Sequence, residues 1–125
     1  MGNTFERSEI ELFRCDLEPR RDVVYVRPVG ELDLASVPSV DAQLLELTSV
    51  GFMHLVLDLR GVSFLDSSGL QLILTWDAMA RANGLSFELI RGPAAVQRLF
   101  ELTFVADRLS FAAPDARPLS MAAER

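Results

Sequence analysis

One cysteine, one histidine, one tryptophan and one tyrosine occur in 125 residues, and each scarcity removes a class of explanation. With Cys15 alone no intramolecular disulfide can form, and with His54 the only histidine no Cys/His metal cluster can be assembled. No cofactor is therefore expected, and the cysteine usage suits a reducing cytoplasm. Apolar runs are broken by charge well short of the roughly 18 residues a membrane span requires. The start, Met1-Gly2-Asn3-Thr4-Phe5-Glu6-Arg7, lacks the apolar stretch of a signal peptide, and Glu6 stands where a myristoylation pattern wants Ser or Thr. Basic residues are in deficit, 12 against 18 acidic, for a formal charge of −6. Duplex nucleic acid and anionic membrane are accordingly poor partners, whereas a protein or a small ligand fits. No Walker-type glycine loop, internal repeat or linker is visible.

What is present is a globular balance, with 50% hydrophobic and 24% charged residues. Such a chain reads as a single domain over residues 1–125, with a core from about Ile10 to Phe111 and a loose tail over 112–125. Ile10 to Cys15 is a short strand candidate. After a turn over Glu18-Pro19-Arg20-Arg21-Asp22, the β-branched run Val23 to Val29 completes an antiparallel hairpin. Pro28 cannot donate a ladder bond, which puts it at an edge or a bulge. Gly30-Glu31-Leu32-Asp33 reads as a loop.

A helix follows Ser36, with Val37, Val40, Leu44, Leu45 and Leu47 on its apolar face, Ser36 or Ser39 as cap and Gly51 as stop. His54 to Leu59 is apolar enough for a central strand covered on both sides. The spacing predicts a second helix from about Ser68 to Ala82, stopped by Asn83-Gly84, with Leu72, Ile73, Trp76, Met79 and Ala80 toward the sheet. A strand over Leu85 to Ile90, a helix from Pro93 to Leu102 and a short edge strand over Arg108 to Phe111 complete a mixed α/β domain. Its sheet has four to five strands, with right-handed crossovers between parallel neighbours.

The segment richest in chemistry is Asp66-Ser67-Ser68-Gly69-Leu70, where a strand ends and a helix begins. Its hydroxyls can cap the helix, and the positive helix end also suits a phosphate. Ser68, closer to the first turn, is the expected cap; Ser67 projects from ordered yet accessible backbone, as a kinase acceptor must. Gly69 permits close approach of backbone or partner, or simply serves the turn. Leu70 and Leu74 fall beside Asp77 and Arg81; they form either an exposed strip for a partner or a surface covered by another helix. A hydrolase using Ser67 or Ser68 needs a base, and His54 stands at no recognisable spacing from them.

Taken together, Gly30-Glu31-Leu32-Asp33 after one strand and Asp66-Ser67-Ser68-Gly69-Leu70 opening a helix resemble the STAS domain, specifically the bacterial anti-sigma-factor antagonists. Gly92-Pro93-Ala94-Ala95-Val96-Gln97-Arg98-Leu99-Phe100 is similar to the family's later helix. The resemblance implies a STAS-like α/β fold and a protein that is no enzyme but a cytoplasmic switch in transcriptional stress signalling. By the same resemblance Ser67, the serine immediately after the Asp, is phosphorylated by an anti-sigma factor with serine kinase activity. A PP2C-type phosphatase resets it, and the unphosphorylated form binds the anti-sigma factor and frees a sigma factor. Partner contacts are then expected at Glu31, Asp33, Asp66, Ser68, Gly69, Leu70 and Leu74. The alternative is a STAS interaction or ligand-binding module in a larger signalling assembly, without phosphorylation of Ser67.

Overall fold

The computed structural model describes residues 12–112. Within them the order is β1 (Arg14–Arg20), β2 (Val23–Leu32), α1 (Val37–Ser49), β3 (His54–Asp58), a 3₁₀ turn (Leu59–Gly61), β4 (Val62–Leu65), α2 (Ser67–Asn83), β5 (Ser86–Ile90), α3 (Ala94–Leu102) and a second 3₁₀ turn (Ala106–Arg108). These strands form one five-stranded mixed sheet in the order β1-β2-β3-β5, with β4 also paired to β2. The hairpin β1–β2 is antiparallel, and the remaining pairings are parallel. β3 is central, as its apolar run implies.

The first strand lies later in the chain than its apolar residues suggest. Residues 10 and 11 of the expected strand fall outside the described residues, and the turn shrinks to Arg21-Asp22, with Arg21 at φ 59°. Residues 18–20 instead pair with Tyr25, Val24 and Val23. An edge strand tolerates Pro19, because it bonds on one side only.

β2 also runs on through Leu32 where a loop was expected. It pairs with β3 at Val23 to Val26, loses parallel partners over residues 27–29, and resumes with β4 from Gly30. Pro28 falls in that gap. The register shifts between Gly30 and Glu31, and Gly30 has φ +116°, a bulge conformation that glycine adopts without strain.

The described helices all contribute to one core on a single face of the sheet. Val40 and Leu44 of α1, Ile73 and Trp76 of α2 and Phe100 of α3 pack with Val24, Val26, Leu55, Leu57 and Leu89. Trp76 is 1% exposed, and its Nε1–H donates to Asp41 Oδ1 at 2.8 Å, joining α2 to α1. Leu45, expected in the core, is exposed at the rim of the apolar stripe. The expected last strand is a single parallel bridge from Phe111 to Leu89, extended by the Ala112 amide donating to the Leu89 carbonyl. The tail over 113–125 lies outside the described residues.

The opposite face holds a smaller cluster of Val23, Tyr25 and Val56, bordered by charge. Asp58 is 2% exposed and accepts from Arg27 Nε at 3.1 Å, Arg60 Nη2 at 2.8 Å and the Arg60 amide at 3.1 Å. Arg27 also reaches Glu18 at 2.6 Å, so β1, β2 and β3 share one network where the chain bends from β3 toward β4. Burial by itself raises the Asp58 carboxyl, but hydrogen bonds and charge from Arg60 and Arg27 outweigh it and hold it below the ordinary 3.8. A carboxylate depressed in the folded state contributes its full stability above the unfolded value, and that contribution is lost as pH falls through the folded value. Asp58→Asn is therefore expected to cost roughly 1–3 kcal/mol in urea denaturation at pH 7. The gap between wild type and variant should narrow once the pH drops below about 4.

Candidate functional site

The site forms where two parallel strands end side by side. Glu31 pairs with Phe64 and Leu32 with Leu65, so β2 and β4 leave the sheet at the same end. One enters the turn over residues 33–36 and the other enters Asp66 and α2. The Asp66 amide donates to the Leu32 carbonyl at 3.3 Å and fastens the two exits together.

Asp33 builds the first turn. Its Oδ1 accepts from the amides of Ala35 at 3.0 Å and Ser36 at 3.1 Å, the local bonding that Asp favours over helix or strand. Ser36, a proposed cap, makes no side-chain cap bond to α1. Its hydroxyl donates to the Glu31 carbonyl at 2.7 Å and accepts from the Asp33 amide at 3.0 Å, closing the turn on itself. Glu31, Asp33, Ser36 and Ser39 line a pocket of about 280 Å³ with Phe13 and Ala35.

Asp66 caps α2. Its Oδ1 accepts from the amides of Ser68 at 2.8 Å and Gly69 at 3.1 Å, satisfying two of the orphan N–H groups of the first turn. Such a cap is worth about 1 kcal/mol. The capping role expected of Ser68 therefore belongs to Asp66: Ser68 contributes its backbone, and its side chain is half-buried. Asp, Ser and Ser are near-equivalent caps, and the helix begins one residue earlier than its apolar spacing indicates. Ser67 is the first helical residue and is exposed.

Gly69 is buried, which withdraws it from direct contact with a partner. A Cβ there would lie 2.5 Å from Leu65 Cδ1 and 2.7 Å from the Leu32 carbonyl oxygen, so the glycine serves close approach of backbone. Leu70 and Leu74 are partly buried and pack against the main core, so they do not form an exposed strip. The apolar side chains that do reach solvent around the two exits are Leu34, 75% exposed in the Asp33 turn, and Phe64, 50% exposed on β4. Phe64, Leu99 and Leu102 line a groove of about 240 Å³ between β4 and α3. A signal for Leu34 was available: an apolar residue inside a turn has no core to fill.

His54 begins β3, at the opposite end of the parallel strands from Ser67, and lies 4.0 Å from Glu88. Cys15 is half-buried; burial, with Asp16 beside it, pushes its thiol up to about 11, so it stays protonated at neutral pH. No helix among the described residues is long and apolar enough to cross a membrane.

A family model described as "Mlab, STAS domain" matches residues 15–110, most of the chain and both strand exits. The chain belongs to the STAS domain family. Osmosensory protein A of Mycobacterium tuberculosis is 34% identical to this STAS chain over 86 residues, 69% of the chain but 52% of the relative, so the chain spans about half that protein's length. The anti-sigma-B factor antagonist of Bacillus subtilis is 29% identical over 98 residues, covering 78% of this chain and 89% of the relative. An anti-sigma factor antagonist from Mycobacterium paratuberculosis shares the fold, with a TM-score of 0.71 at 21% identity over 90% of this chain and 93% of that one. The Bacillus cell fate determinant SpoIIAA, solved in its phosphorylated form, superposes with a TM-score of 0.63 at 21% identity over 91% of this chain and 100% of that one.

The packing at Gly69 gives a direct test of the site's construction. Gly69→Ala is expected to lower unfolding free energy by roughly 1–3 kcal/mol, because the Leu32 carbonyl cannot move without unpairing β2 from β4. Chemical denaturation of the variant against wild type measures it.

Proposed function

We propose that this protein is an anti-sigma-factor antagonist whose binding is switched by phosphorylation of Ser67. The observation that carries the reading is the placement of Ser67 as an exposed first residue of α2, at the end of the sheet where β2 and β4 finish side by side. The antagonists among its relatives, and the phosphorylated form of a protein with the same fold, support the role and the modification. The partner is an anti-sigma factor with serine kinase activity, and a PP2C-type phosphatase reverses the modification. A hydrolase reading is weaker, since His54 lies at the far end of the strands from Ser67.

In this scheme Ser67 Oγ forms a bond to the γ-phosphorus of ATP as the bond to ADP breaks, and a base on the kinase takes the hydroxyl proton. The product adds about −1.5 to −2 charges beside Asp66 and near the acidic turn of Glu31 and Asp33. In the unmodified state the exposed Leu34 and Phe64, one on each strand exit, supply apolar contacts to the partner, while Glu31 and Asp33 form a polar rim. Leu70 and Leu74 act from beneath, holding α2 on the core.

Incubation with a cognate serine-kinase anti-sigma factor and ATP, followed by mass spectrometry and calorimetry, tests this directly. Phosphate should appear on Ser67, be absent from Ser67→Ala, and weaken partner binding at least about tenfold, equivalent to about 1.4 kcal/mol. Phosphate on Ser68, or equal binding by both forms, overturns the reading. Leu34→Asp and Phe64→Asp should each weaken binding by about tenfold or more while leaving the melting temperature within about two degrees of wild type.

A further inference from the structure

Two amides at the start of α2, those of Ser68 and Gly69, are already engaged by a side chain. A phosphoserine at the first position of a helix is ordinarily well placed to accept from the free amides of that turn, which would fold the new charge into the protein. Here the amides of Ser68 and Gly69 both donate to Asp66 Oδ1, and the Leu70 amide donates to the Asp66 carbonyl at 3.0 Å. The main chain of Asp66 is itself fixed, its amide donating to the Leu32 carbonyl at 3.3 Å, so its carboxylate stays based directly over those two amides. The glycine that follows is wedged against that same carbonyl and against Leu65.

We infer that Asp66 is a positioning residue for the switch: by holding the helix-terminal amides, it denies them to a phosphate on Ser67 and leaves that phosphate projecting outward. This rests on Ser67 being the phosphoacceptor. Modification then changes the surface that a partner meets without a new internal bond to stabilise or rearrange the turn. Glu31 and Asp33, at the neighbouring strand exit, add negative charge at the same end of the sheet, which favours the outward pose. A cap by serine in place of Asp66 would lack the negative charge that keeps a second anion away.

The consequence is a sign change that ordinary loss of a cap does not produce. Phosphoserine installed at position 67 during synthesis, with no kinase needed, is compared with serine in wild type, Asp66→Ala, Asp66→Gly and Asp66→Asn by thermal unfolding at pH 8. Wild type should melt at the same temperature or lower when phosphorylated. In Asp66→Ala the freed amides should take the phosphate, raising the melting temperature by roughly 3–6 °C. Asp66→Gly, which retains most cap stability without a side-chain acceptor, should show the same rise and serves if the alanine variant folds poorly. Asp66→Asn keeps the cap and should show no rise. The rise in the alanine and glycine variants should shrink at pH 5, below the phosphate's second pKa of about 6.

Equal stabilisation of wild type and Asp66→Ala by phosphate overturns the inference, as does a lack of stabilisation in both the alanine and glycine variants. The measurement involves no partner, so it can fail while Ser67 remains the switch. Conversely, unchanged partner binding by phosphorylated wild type removes the switch and leaves the unfolding result standing.

Discussion

The carbonyl oxygen of Leu32 is the constraint on which the functional end of the molecule depends. It accepts from the Asp66 amide, and it stands 2.7 Å from the place a Gly69 side chain would begin. One atom of β2 thus fixes both where α2 starts and how near the helix lies to the sheet. From that follow the orientation of Asp66 over its amides, the outward position of Ser67 and the adjacency of the two acidic exits. The bulge at Gly30 and the change of partner from β3 to β4 deliver Leu32 to this position.

Stability is divided between the two faces of the sheet, and the candidate site lies at one of its ends. The helices bury one apolar face, while charge on the other, centred on Asp58, ties together β1, β2 and β3. The end carrying Ser67 therefore sits on a frame braced from both sides. A charge added to an exposed helix start would leave that bracing intact.

Much of this was legible in the sequence where periodicity and local chemistry coincide. The Leu72, Ile73, Trp76 and Ala80 face, the Asn83-Gly84 stop, the apolar β3 and the Asp66-to-Leu70 motif all read directly, and the STAS resemblance was confirmed by the family match. Legibility failed where tertiary pairing overrode local signals. β4 is four residues long and begins just after Arg60-Gly61, so nothing local separates it from the turn that precedes it. The start of β1 was drawn toward apolar residues, although an edge strand with charges on alternate positions needs no such run. Leu70 and Leu74 lie off the main apolar face of α2 by angle alone, yet packing against the core covers them in part. At the cap, three chemically similar residues in a row gave no local basis for choosing Asp66.

The two rims of the sheet are unlike. Phe111 and Ala112 lie across from Leu89 and shield part of β5, whereas among the described residues no strand pairs with the outer edge of β1. Along that edge Arg14, Asp16, Glu18 and Arg20 alternate with Cys15, Leu17 and Pro19. Two copies meeting edge to edge about Leu17 would set Arg14 against Arg20 and Asp16 against Glu18, like charge against like, with a proline interrupting the ladder. The rim thus carries its own defence against sheet-to-sheet aggregation, written into the order of charges along β1.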